Sequence, residues 1–414
     1  MKTNWRKIHL LGVAGAISWA GSSLTTFAVV LRDKDALGPM GISLILLSMM
    51  VPTIVFAPLG GLLADKFSTR TLQPPLLTIM GLSSASLALG WPHWWTYIAL
   101  AITASCGVAV GASFNAALPT IAAAEDLPRA SGTMQTYSTF GTLFAPALGG
   151  ILVSSTGYVW PFVIDGISFL VLGAALLGLG INRPGVAHVG GEKLKAMDGL
   201  REVWSDNLIR SILILVSVII LTLGVVNVGE VFLVTDELKA TPFIYGLVGT
   251  AFAVGSILGG VGASTLKVPE SKHPRLVVLA MGVLAISILG LAVSWHWWVA
   301  LVMSFVAGIG NAVLNAYGVG IIIRRSKAET RGRVMAAFGA VANTSSVAAS
   351  GAGGILIGIF GVRAVLVVGG ILSIFVVLLF SPPVLRAGKQ AAAEAQAAAE
   401  AEAANRESVE PAIG

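Results

Sequence analysis

Two carboxylates stand where hydrocarbon is expected. Asp165 lies within the apolar run 159–180 and Glu230 within the apolar run 208–234. A charge held in a bilayer costs at least ~2.5 kcal/mol, so each needs a reason to be there. It either carries a proton or reaches interfacial water, since both sit toward the outer ends of their runs. Amides recur in the same kind of run: Asn115, Asn227, Asn311, Asn315 and Asn343. They could bind a substrate or hydrogen-bond between helices. Trp19, Phe27, Met49, Met50, Tyr137, Phe140, Phe252 and Phe338 could line an adaptable apolar cavity, or pack against lipid and core. An aromatic and Met-rich cavity with one or two carboxylates suits lipophilic or cationic molecules better than sugars.

Other chemistries find no support in the sequence. No phosphate loop of the Gly-x-x-x-x-Gly-Lys-Ser/Thr form occurs, so a gradient rather than ATP is the expected energy source, with no cofactor. No Lys or Arg lies deep in an apolar run, which argues against anionic substrates. His9, His93, His188, His273 and His296 are dispersed, and the single cysteine, Cys106, clusters with none of them. A metal site is therefore not expected, nor is an enzyme's catalytic constellation.

These residues are carried by elements that the composition identifies. Of 414 residues, 56% are hydrophobic and 11% charged, against roughly 25% charged in an ordinary soluble domain. Twelve apolar runs are long enough to cross a bilayer core of ~30 Å as helices. Six precede the polar stretch 182–207 and six follow it. The organisation expected is an all-α polytopic membrane protein: a first six-helix bundle over 1–181, a linker over 182–207, a second bundle over 208–385, and an Ala/Glu-rich tail over 386–414. The first run, 8–31, is too long for a signal-peptide core and is taken as a retained span. Of the 26 Lys and Arg, all but Arg32, Lys34, Lys239 and Arg363 fall on one side of this layout. That is the positive-inside pattern, and it predicts both termini in the cytoplasm. It also accounts for the net charge of +6 without a nucleic-acid partner. Leu200, Val203, Trp204 and Leu208 follow a helical period, as an amphipathic surface helix or an ordinary linker helix would.

The two sets of six spans repeat one another. Leu59-Gly60-Gly61 returns as Leu258-Gly259-Gly260, Trp94-Trp95 as Trp297-Trp298, Phe114-Asn115-Ala116 as Leu314-Asn315-Ala316, and Gly149-Gly150-Ile151-Leu152 as Gly353-Gly354-Ile355-Leu356. The offsets all fall between 199 and 204 residues. An even number of spans separates equivalent helices, so the halves point the same way and are related by an axis along the membrane normal. That plan places a substrate site near the midplane between the halves.

The run Ala57-Pro58-Leu59-Gly60-Gly61-Leu62-Leu63-Ala64-Asp65-Lys66-Phe67-Ser68-Thr69-Arg70 resembles the loop signature of the major facilitator superfamily. Two positions depart: Ser68 replaces a glycine, and Ser264 stands where the second half would repeat Asp65. The resemblance implies a gate of Asp65 and Arg70, with Asp65 locking onto span eleven, which follows Arg331-Gly332-Arg333. Gly132, Gly141, Ala145-Pro146 and Gly149 resemble the antiporter signature of the same superfamily, with Ala145 in place of glycine. Small residues permit close helix approach and Pro146 sets a kink. Leu118-Pro119, the stretch from Glu125 to Ala130, the stretch from Phe162 to Phe169, and the stretch from Thr330 to Val334 resemble the macrolide-efflux-like, drug/proton antiporter branch. The arginine that many such antiporters carry in span four has no counterpart between Ala101 and Gly111. The resemblance implies a monomeric, proton-coupled exporter of amphipathic or cationic compounds in a bacterial inner membrane. Glu230 is expected to be the principal proton carrier and Asp165 a secondary one. Two other readings stay open: a dedicated exporter of a siderophore or lysolipid, and a transporter-like sensor that moves nothing.

Overall fold

The computed structural model describes residues 3–184, 207–266, 268–325 and 331–409; the surface helix expected around Leu200 to Trp204 lies outside them. The described residues form helices with no strand: α1 (Trp5–Lys66), α2 (Thr69–Ser86), α3 (His93–Ala117), α4 (Leu127–Leu143), α5 (Ala145–Thr156), α6 (Val159–Gly178), α7 (Asn207–Phe232), α8 (Pro242–Thr265), α9 (His273–Ala292), α10 (Trp297–Arg325), α11 (Arg331–Phe360) and α12 (Val362–Val409).

Helix α1 is two spans, not one. Its 62 residues would run for ~93 Å at 1.5 Å each, three times a bilayer core. The chain breaks at Gly38 (φ 62°, ψ −169°), the residue before Pro39. Only glycine adopts that φ without strain, and a following proline bars the helical region as well. Both ends of α1 then lie on one face. Asn4 donates its N–H to Ile121 O at 2.9 Å, and the Ser113 hydroxyl on the neighbouring α3 donates to Thr69 Oγ1 at 3.4 Å. The middle of α1 lies on the opposite, far face, where Arg32 donates to Leu87 O and to Thr96 Oγ1. No loop separates the two spans as the sequence suggested; the turn is one glycine deep.

Pro146 acts as its type predicts. Lacking an N–H, it interrupts span five at Phe144, between α4 and α5, where ψ rises to −7°. Ser68, a departure from the loop signature, caps α2: its side chain accepts from Thr71 N. A short π-helical turn, Leu233–Glu237, ends span seven.

Each half has its own core. Ile8, Leu11, Leu77 and Phe169 are among the residues packed in the first, and Ile212, Leu215, Met281 and Leu284 among those in the second. A third cluster joins the halves near the far face, bringing Phe27, Val29 and Ile42 together with Val228, Val231 and Leu366. The side chains of Trp91, Trp94, Trp295 and Trp298 are exposed, as an interfacial aromatic belt requires.

Candidate functional site

The halves meet from mid-membrane to the far face. Phe27 stacks on Tyr245, ring centroids 5.1 Å apart, and Ala147 N donates to Thr250 Oγ1 at 3.2 Å. Gly150 lies against the backbone of Phe243, and Gly354 against Pro39, Met40 and Ser43. Met50 Sδ lies 3.8 Å from the Ser350 hydroxyl. Toward the terminus face Phe140, Asn315 and Asn343 are exposed. The cleft between the halves opens on the face that carries the termini.

Glu230 stands on α7 at the edge of that seam. It lines a cavity of about 260 Å³ with Asn227, Phe252, Ser287, Met303 and Ser304, and hydrogen-bonds the Ser304 side chain. Ser287 is 1% exposed, and its hydroxyl has no partner among the described residues. A carboxylate, two hydroxyls and an amide thus converge on a space that holds an ion, a few waters or a small head group. Sequence reasoning missed Ser287 and Ser304, because a serine in an apolar run carries no distinguishing pattern.

Asp165 differs from expectation. It is 1% exposed and does not reach interfacial water. Its Oδ2 accepts from Ser84 at 2.6 Å and its Oδ1 from Ser22 at 3.2 Å, and Ser168 donates to its backbone carbonyl at 2.7 Å. Thr25 and Ser84 share a further hydrogen bond. The carboxylate ties spans one, three and six together inside the first half, away from the seam.

The gate residues are also arranged differently. Asp65 pairs with Arg183, 3.3 Å from Nη2, and Arg183 also donates to Ala64 O. Arg183 follows span six, so the pair lies within one half, whereas the signature pointed to span eleven. Arg70 is exposed and its N–H meets Asn182 Oδ1 at 3.4 Å; Arg331 is exposed and Arg333 half-buried at the start of α11. With the terminus side open, the two partners that the lock would join stand on opposite walls.

The far face instead holds a charge network around Arg32 to Asp35, a stretch that the sequence reading used only to assign topology. Asp33 is fully buried, with Arg32 at 2.7 Å and His93 at 3.2 Å. Lys34 reaches across the seam to Asp236 at 2.6 Å, and to Asp35 at the same distance. Burial opposes the Lys34 charge, but the hydrogen bonds and charges of Asp236 and Asp35 outweigh it and hold the ammonium above its usual 10.5. The alternating Arg32-Asp33-Lys34-Asp35 was the available signal.

The proposed lining residues scatter. Trp19 lines a cavity of about 560 Å³ inside the first half, together with Asn115; Asn227 and Phe252 line the Glu230 cavity. Phe27 and Met50 belong to the seam between halves. Tyr137 OH bonds His9 Nδ1 at 3.1 Å, Phe338 packs into the second core, and Asn315 donates to Asn311 O at 2.8 Å. The antiporter glycines also diverge: a side chain at Gly141 would strike the Ala16 backbone and one at Gly149 the Phe27 ring, while one at Gly132 would meet nothing.

Twelve spans in two six-helix bundles define a polytopic membrane protein with the two-bundle plan of a secondary transporter. The sequence model of the Major Facilitator Superfamily matches the chain over residues 11–267 and 212–411, and the chain belongs to that superfamily. The multidrug efflux pump Tap of Mycobacterium tuberculosis is 23% identical over 334 residues, 76% of this chain and 78% of Tap. The uncharacterised transporter YfiS of Bacillus subtilis is 26% identical over 180 residues, 42% of this chain and 43% of YfiS. Among solved structures, the nucleoside transporter NupG superposes with a TM-score of 0.72 at 14% identity, over 91% of this chain and 98% of NupG. An inward-facing bacterial homologue of the iron transporter ferroportin superposes at 0.71 and 14%, over 92% and 100%.

Proposed function

We propose that this transporter is a proton-coupled exporter of amphipathic or cationic small molecules, working by alternating access in a bacterial inner membrane with both termini in the cytoplasm. In that orientation the cleft is open to the cytoplasm, the side from which an exporter loads. The observation that carries the reading is Glu230, a carboxylate on the first span of the second half with hydroxyls and an amide around a small cavity. Rocking of the halves would expose it to each side in turn, so that it takes up a proton on the outside as substrate leaves and releases it on the inside as substrate loads. The antiporter-like glycines and Pro146, and the likeness to an efflux pump, support the direction. The test is ethidium accumulation in cells that express the protein. Expression should lower accumulation, and an uncoupler should restore it; equal accumulation with and without the protein would sink the proposal.

A further inference from the structure

A cavity larger than the one beside Glu230 lies inside the first half, bounded by spans one, three, four, five and six, with Trp19 and Gln135 in its lining. Its volume of about 560 Å³ falls in the range of roughly 300–1,000 Å³ that holds a drug-sized ligand. The Glu230 cavity, at about 260 Å³, does not.

Its chemistry is equally specific. Trp19 and Phe114 meet edge to face, centroids 6.2 Å apart, and Met134 adds a flexible apolar wall. The Trp19 indole N–H and the Asn115 and Gln135 side-chain amides have no hydrogen-bond partner among the described residues, though all three line the space. A half-buried indole N–H ordinarily finds one, whereas the Asn115 and Gln135 amides are exposed to the space and free to meet a ligand there. Among the described residues the lining includes no ionisable side chain. The nearest carboxylate, Asp165, lies behind Ser22, whose hydroxyl it holds at 3.2 Å. A cation entering here would shed water without meeting a counter-charge, which is costly.

We propose that this cavity is a binding site for an uncharged amphipathic molecule, an aryl or alkyl body carrying carbonyl or hydroxyl groups. Its body lies against Trp19, Phe114 and Met134, and its polar groups bond the Trp19 N–H and the two amides. The inference rests on the exporter reading and narrows its substrate class. Substrate and coupling proton then occupy different halves, and they communicate through the rocking of the bundles rather than by pairing at Glu230.

The test is equilibrium binding of radiolabelled chloramphenicol, an uncharged aryl amide with two hydroxyls, to the full chain in lipid nanodiscs. A Cβ at Gly111, in the cavity lining, meets no atom within 4 Å, so Gly111→Leu fills the space without moving the backbone and improves helix propensity. It should raise the dissociation constant at least about tenfold, and Trp19→Phe, which keeps the ring and deletes the donor, about three- to tenfold. Gly282→Ala, in the second half where an added Cβ meets no atom within 4 Å, should leave it within about twofold. Thermal unfolding at an unchanged temperature verifies folding of each variant. No saturable binding by the wild type, unchanged binding by well-folded Gly111→Leu and Trp19→Phe, or an equal loss in Gly282→Ala would each overturn the site. If binding behaves as expected but the protein causes no uncoupler-sensitive fall in the accumulation of either chloramphenicol or ethidium, the site stands and the exporter reading falls.

Discussion

At the residue scale the two intramembrane carboxylates part company. Asp165 is enclosed by donors that any well-oriented acceptor would satisfy, so Asp165→Asn, which keeps one carbonyl oxygen and most of the volume, should retain most export in vesicles under an imposed pH gradient. Glu230→Gln removes the only titrating group that lines its cavity among the described residues and should abolish gradient-driven export while substrate still binds. Full export by Glu230→Gln would remove it from the mechanism, and loss in Asp165→Asn alone would exchange the roles. Asp65 is a second case. Its pair with Arg183 is half exposed and contributes little to folding, so Asp65→Asn should unfold at the wild-type temperature. We propose that closure of the terminus side brings this charge to the amino-terminal end of span eleven, where a carboxylate is favoured, so transport by Asp65→Asn should fall several-fold. Normal transport by Asp65→Asn would reduce it to a loop charge.

At the element scale, contacts between helices decide which small residues matter. Gly141→Leu must push span five off the Ala16 backbone and should lower both stability and export. Gly132→Ala meets open space and should leave export intact while stabilising its helix by up to ~1 kcal/mol. Equal damage from both would show that the signature acts through something other than helix approach. The far-face seam is held by Lys34 and Asp236, one 10% and the other 45% exposed. Because Asp236 is well solvated, the pair is worth roughly 0.5–1 kcal/mol, enough to bias two states of nearly equal free energy. Lys34→Ala or Asp236→Ala should shift a spin-label distance across the far face toward longer values, and the swap Lys34→Asp with Asp236→Lys should restore it. Because the folded-state pKa of Lys34 is raised, its stabilising contribution is fully present below its unfolded value and lost only as pH rises through the folded one. The alkaline window lies above 10.5, so Lys34 should not itself confer pH dependence between pH 5 and 9.

At the scale of the whole molecule the proposed orientation rests on Lys and Arg placement. In a Cys106→Ala background, cysteines at Asp35, 80% exposed, and at Lys239 should react with an impermeant thiol reagent in intact cells. One at Lys272 should not, until the membrane is permeabilised. Reversed labelling would invert the orientation, and with it the side on which the cleft loads. Lys34 itself is a poor labelling site, since its side chain is engaged across the seam.

What the sequence determined by itself was the count of spans, the two-bundle repeat and the break at Pro146. These follow from hydropathy, from local backbone chemistry and from a repetition that any bilayer-spanning fold must respect. The pairing of Asp65 with Arg183, the hydroxyl cage of Asp165, the Lys34 and Asp236 seam and the cavity beside Trp19 were decided only in three dimensions. Hydrogen bonds and ion pairs form over a few ångströms between residues up to 300 positions apart, and one sequence without its packing does not say which side of a helix faces a neighbour. In a chain this uniformly apolar the usual contrast between a buried and a solvated face is weak, because lipid accepts the same side chains as the core does.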